Sequence, residues 1–150
     1  TIFDTIYFQK LFDRDITLFN QLNKMPRKQG RIIANGVVLE KHENATIVFL
    51  TSKGFDIELI PPVLDRKTHD IKMDGLSWEI KRPTANSKYT IPHAFKSALT
   101  QSSNIIFDLR SSKLHQEQAF NRLKREFELS KGVKRLKVIL KSQRFVDFTK

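Results

Sequence analysis

"HDIKMDGLSWEIKR", residues 69–82, decides how the chain folds. Asp74-Gly75 at its centre is a strong short hairpin signal, because a two-residue type I′ turn needs positive φ at both positions. Two antiparallel strands follow, residues 69–73 and 76–82. Strand side chains alternate between faces with period two, so Glu79 and Lys81 leave one face while Trp78 and Ile80 leave the other. Trp78 reads as a buried anchor and not as a platform for a stacked base. The turn also folds Asp70 back toward Glu79. Two acids and an amine are thereby expected at one edge of a sheet, in a D-x₈-E-x-K spacing.

Working outward, residues 40–53 predict a helix stopped by Gly54, with Glu43 in "KHE" near its start. "FDIELI" alternates apolar and acidic residues and predicts a strand over residues 55–60, ended by Pro61 and Pro62. Downstream, "IPHAFKSALTQS" carries Pro92 in the first turn of an amphipathic helix. "NIIFDL" predicts a strand, residues 113–129 a helix, and "KRLKVIL" and "RFVDFT" two closing strands. From residue 40 the predicted order is α-β-β-β-α-β-α-β-β. The fold class expected is α/β, a mixed sheet flanked by helices. Residues 1–31 are read separately, as a helical extension ending in the basic loop "NKMPRKQGR", with the main domain at 32–150.

Bulk properties set limits on function. At 150 residues and 39% hydrophobic content the chain can bury a core as one domain. It has no cysteine, which excludes disulfides and thiolate metal sites. No apolar run approaches the roughly 18 residues of a membrane span, and no signal peptide is evident. It opens at Thr1 and not Met, so it is expected to be a piece of something longer. Net charge is +11, and residues 110–150 hold 12 Lys/Arg against 4 Asp/Glu. Such a chain attracts polyanions through counterion release. Lys134, Arg135, Lys137 and Lys141 alternate with apolar residues and are the expected phosphate-backbone contacts, with His69 a further one. A charged edge that discourages aggregation is the other explanation of that alternation.

Phosphodiester hydrolysis needs an activated water and a sink for charge on phosphoryl oxygens. Carboxylates converging on a divalent cation provide both, and a neighbouring lysine shares the load. Each residue also has a plain structural role. Glu79 and Lys81 can be an exposed charge pair of little worth. Asp70 can start a turn, and Glu43 can be a solvated helix residue. Asp108 and Arg110 can border a site or simply pair with each other.

The element order and the "HD…GLSWEIK" hairpin resemble the PD-(D/E)xK, restriction-endonuclease-like nuclease core. More narrowly, "HENATIVFLTSKGFDIELIPP", "HDIKMDGLSWEIKRPTANSKYTI" and "FKSALTQSSNIIFDLR" look like C-terminal nuclease toxin domains of CdiA-type contact-dependent inhibition and polymorphic toxin proteins. The similarity runs from about residue 36 to 148. It implies an α-β-β-β-α-β core and a site of Glu43, Asp70, Glu79 and Lys81, with Gln101 as a helper. The three carboxylates would be ligands of a divalent metal: Mg²⁺ first, with Mn²⁺ or Zn²⁺ open. The resemblance also implies a nucleic-acid substrate, tRNA ahead of DNA, an acidic immunity protein as partner, and action in the bacterial cytoplasm after delivery. The family's proline before the aspartate is replaced here by His69. Two other functions fit the residues. One is a metal-independent ribonuclease toxin of the barnase/EndoU/colicin/RelE kind, using His69, His93, Tyr89, Thr90, Lys81 and Arg110. The other is a basic nucleic-acid-binding module without catalysis.

Overall fold

A computed structural model describes residues 28–39, 41–64 and 70–150. Among them run strands β1 (Ile32–Ile33), β2 (Ile57–Leu59), β3 (Ile71–Met73), β4 (Leu76–Lys81), β5 (Asn104–Asp108), β6 (Arg135–Ile139) and β7 (Phe145–Thr149). The helices are α1 (Lys41–Ser52), α2 (Thr90–Leu99) and α3 (Gln116–Leu129). The strands form one mixed sheet in the order β1-β2-β3-β4-β5-β6-β7. Parallel pairs are β1–β2, β4–β5 and β5–β6. Each is joined by a helix, as parallel neighbours require. The antiparallel pairs β2–β3, β3–β4 and β6–β7 are joined without one. The expected α/β class and the element order from residue 40 are both observed.

The helices divide between the two faces. On one face α1 packs Ile47, Phe49 and Leu50 against Ile57, Ile71, Trp78 and Ile106. On the other, α2 and α3 pack Phe95, Leu123 and Phe127 against Ile105, Phe107 and Val138. Central β5 is buried along its whole length. Trp78 is an anchor, as expected, and its indole N–H donates to the Met73 carbonyl at 3.0 Å. The hairpin turn is also as expected, with Asp74 at φ 54 and Gly75 at φ 72. The alternative reading of Glu79 as half of an exposed charge pair does not hold: it is 3% exposed, because α2 covers its face of the sheet.

Strand β1 was not foreseen. It is two residues long and leaves Ile32 and Ile33 largely exposed, so it carries no periodic signal. Its pairing comes from backbone contacts instead. The Ile57 N–H donates to the Arg31 carbonyl, and the Gly30 N–H donates to the Thr51 carbonyl, both at 2.8 Å. Part of the stretch read as a basic loop is therefore tied into the sheet. The helical reading of residues 1–27, and His69, lie outside the described residues.

Gly30 makes this junction possible. A Cβ there would stand 1.8 Å from the Phe55 carbonyl oxygen, a backbone atom that cannot swing aside. Gly30→Ala is expected to destabilise the domain by about 1–3 kcal/mol, as overpacking does. Gly132→Ala, which meets nothing within 4 Å, is expected to be near neutral. Urea denaturation of the two variants beside the wild type checks this.

Candidate active site

The hairpin register builds the site. Ile71 pairs with Trp78, and the Asp70 N–H donates to the Trp78 carbonyl at 3.0 Å. Asp70 therefore stands opposite Glu79. One rung further, the Asp70 carboxylate replaces a backbone acceptor: its Oδ2 takes the Ile80 N–H at 2.8 Å. The Asp70 carbonyl accepts from the Ile60 N–H at 3.1 Å, which fixes it from the β2 side. An acid is thus locked at the fork where β3 and β4 part.

Across the fork, Glu79 Oε1 accepts from Gln101 Nε2 at 2.8 Å, just past the end of α2. The same oxygen lies 3.2 Å from Lys81 Nζ. The second oxygen, Oε2, is buried without a hydrogen-bond partner. Burial, and then the charge of Asp70, push the Glu79 carboxyl up to about 7 against the pull of Lys81. Burial also raises Asp70, with the Ile80 N–H, Glu79 and Lys81 opposing, and Glu43 adding to the rise. Two carboxyls this close cannot both carry full charge without help. A proton or a cation resolves the conflict.

Four of the expected residues are therefore brought together: Asp70, Glu79, Lys81 and Gln101. Glu43 lies on α1 in the wall of the same cavity as Asp70 and acts on it through charge. It does not close a three-carboxylate cluster, and among the described residues no three His, Asp or Glu side chains gather as a ready-made metal cage. The chemistry of the Asp70–Glu79 pair nonetheless fits a hard cation. Its donors are carboxylate oxygens, and one of them is buried with no partner.

The remaining expected residues have other surroundings. Asp108 and Arg110 pair, with Arg110 Nη2 2.8 Å from Oδ2 and Nε 3.0 Å from Oδ1. Thr46 Oγ1 donates to the same carboxylate at 2.6 Å. Burial alone would raise Asp108, but the hydrogen bonds from Arg110 and Thr46 outweigh it and hold the group below the usual carboxylate range. The basic residues do not form one stripe. Arg135 donates to Asn104 Oδ1 at 3.2 Å. Since β4, β5 and β6 run parallel, that contact is at the opposite end of the sheet from Lys81. Lys137 pairs with Asp147 at 2.5 Å and sits over the rings of Phe55, Trp78 and Phe145. Lys141 donates to the Leu114 carbonyl at 2.8 Å. Lys134 is exposed.

Arg82 was overlooked. It lies in the cavity wall with Asp70 and Glu43, donates to Ser111 Oγ at 2.5 Å, and stands 3.9 Å from Asp108. The period of two that paired Glu79 with Lys81 could have found it, because Arg82 follows Ile80 on the other face.

Fold and site together define an α/β domain with a carboxylate–amide–lysine cluster at the fork of a hairpin. The family model of the contact-dependent growth inhibition CdiA C-terminal domain matches residues 67–145, and the chain belongs to that family. The matched stretch holds Asp70, Glu79, Lys81 and Gln101 but not Glu43. A solved structure described as a CdiA-CT/CdiI toxin and immunity complex from Burkholderia pseudomallei is similar in fold, with a TM-score of 0.59 and 20% sequence identity over 81% of this chain and 100% of that one. No curated protein matches the chain.

The raised carboxyl makes stability depend on pH in a stated direction. A folded pKa near 7 against an ordinary 4.5 means that the folded state keeps its proton longer. Glu79's contribution is complete below 4.5 and is lost as pH rises through about 7. In chelator, the melting temperature of the wild type is expected to carry a decline over that window which Glu79→Gln removes. Differential scanning calorimetry across pH 4.5–8 measures it, and parallel wild-type and variant curves would contradict the assignment.

Proposed function

We propose that this domain is a divalent-metal-dependent nuclease of the bacterial toxin type, hydrolysing phosphodiester bonds, with RNA, in particular tRNA, ahead of DNA. The observation that carries the proposal is the Asp70–Glu79 pair with its buried, unpartnered oxygen and Lys81 Nζ 3.2 Å from the other oxygen. The α-β-β-β-α-β order and the family membership support it, since the same order and the E-x-K spacing belong to the PD-(D/E)xK core that the sequence resembles.

In this proposal Asp70 and Glu79 hold the metal, Glu43 adds negative charge from the wall of the adjoining cavity, and Mg²⁺ is the first candidate, with Mn²⁺ or Zn²⁺ as alternatives. A divalent cation bound there supplies an acidified water and neutralises phosphoryl oxygens. Lys81 positions the attacking water or takes up charge as the phosphoryl group reacts. Gln101 keeps the Glu79 carboxylate oriented. The similar solved structure is a toxin and immunity complex. By analogy we propose that this domain also has an immunity protein, acidic to complement a chain of net charge +11. Its place of action would be the bacterial cytoplasm of a target cell. Among the described residues no helix is long and apolar enough to cross a membrane.

The test is cleavage of tRNA and of plasmid DNA, each with Mg²⁺, Mn²⁺ or EDTA. Cutting that EDTA abolishes is the expected result, with tRNA cut faster. Lys81→Ala is expected to lower the rate about 10²–10³-fold, the loss typical of removing one charge-stabilising group, with a native circular dichroism spectrum confirming the fold. RNA cleavage that survives EDTA would replace this proposal with the histidine-type ribonuclease. Binding without any cleavage would replace it with the binding module.

A further inference from the structure

Asp70, but not Glu79, lines a cavity that also takes in Ile80, from the other face of β4, and Arg82 just beyond it, and its volume is about 700 Å³. That is within the roughly 300–1,000 Å³ usual for ligand clefts. Its charged members are Glu43, Asp70 and Arg82, and its other walls are mostly apolar. Those walls are held in place before any ligand arrives. On one side, a tight turn at Asn35 and Gly36, both at positive φ, presents Val37 and Leu39. Asn35 Nδ2 ties that turn to the Leu59 carbonyl at 3.0 Å and to Glu58 Oε1 at 3.1 Å. Another part of the lining is Pro61-Pro62, whose rings fix their own backbone. Ile60, just before them, is hydrogen-bonded to the Asp70 carbonyl. The apolar walls and Asp70 are therefore linked by hydrogen bonds in one frame.

We infer that this cavity is a subsite for one unpaired nucleobase next to the scissile phosphate, an inference that rests on the nuclease function proposed above. Apolar walls of valine, leucine and proline suit the faces of a heterocycle, and the charged lining residues Glu43, Asp70 and Arg82 offer partners for its polar edge. A base inside a duplex cannot enter a concave cleft without leaving its stack. The substrate class is then nucleic acid with an unstacked nucleotide at the cut: a loop, a bulge or a single-stranded end. A continuous duplex is disfavoured.

The test uses an RNA oligonucleotide with one 2-aminopurine in an unpaired bulge, its fully paired counterpart, and a copy abasic at that position. Binding is read with Ca²⁺ in place of Mg²⁺, the RNA being confirmed intact on a gel. Wild-type protein is expected to change the 2-aminopurine fluorescence by at least about twofold, the signature of an extruded base. Val37→Trp, which fills the cavity, is expected to abolish that change. With Mg²⁺, removing the base or pairing it is expected to lower cleavage about tenfold or more, on the scale of one lost base contact. The abasic arm needs no protein variant, so a folding defect in Val37→Trp cannot obscure the result. Bulged, paired and abasic RNAs cut at equal rates would overturn the subsite and leave the nuclease standing. A fluorescence change without cleavage of any nucleic acid would keep the subsite and overturn the nuclease. Bound RNA with unchanged fluorescence, or no binding at all, would overturn the subsite.

Discussion

Two carboxylates face each other across one rung of the β3–β4 hairpin, and the rest of the site is arranged around that repulsion. Asp70 is pinned by the Ile80 N–H on one side and by the Ile60 N–H on the other. Glu79 is pinned by Gln101 and Lys81 through a single oxygen. Burial and the charge of Asp70 push the Glu79 carboxyl up to about 7, so its charged form is held against the local environment. The cores on both faces of the sheet keep the pair in place. Trp78, Ile71 and Ile106 pack below the hairpin, while Phe95 and Phe107 pack above the site's own face.

That arrangement depends on register. Moving β3 past β4 by one residue would send every side chain to the wrong face and part Asp70 from Glu79. The two-residue turn at Asp74-Gly75 sets the register locally. The indole of Trp78, bonded to the Met73 carbonyl, closes the hairpin from inside. A short sequence therefore determines both the strand pairing and the chemistry at its open end. This is why so much of the site was legible in one stretch of fourteen residues.

Legibility ended where the signal was not periodic. The α/β class, the element order and the meeting of Asp70 with Glu79 and Lys81 follow from patterns of two and 3.6 residues, whereas Gln101 was reached only through the family resemblance. Strand β1 left no trace, because two exposed isoleucines carry no alternation and the pairing is made by backbone around Gly30. Lys137 read as a surface cation because its neighbours in sequence alternate with apolar residues. Its true neighbours, Phe55, Trp78 and Phe145, come from three distant segments that only the sheet assembles. Glu43 depended on a helix placed by tertiary packing, and spacing along the chain could not say how near to Asp70 it would come.

Charge is distributed unevenly in a way that bears on the proposed chemistry. The chain carries +11 overall, yet the cations near the fork are held by acids. Lys81 lies against Glu79, Arg110 is bonded to Asp108, and Arg82 stands between Asp108 and Ser111. Glu43 and Asp70 share the adjoining cavity wall. A polyanion drawn in by the whole surface would meet carboxylates at the point where its backbone must be cut. Long-range attraction therefore cannot seat a phosphate there by itself. A divalent ion between Asp70 and Glu79 would reverse the local sign, and it would also relieve the repulsion that raises both carboxyls. One bound charge thus meets the needs of stability and of substrate approach together, which makes the cation, more than the basic surface, the requirement on which the proposed reaction turns.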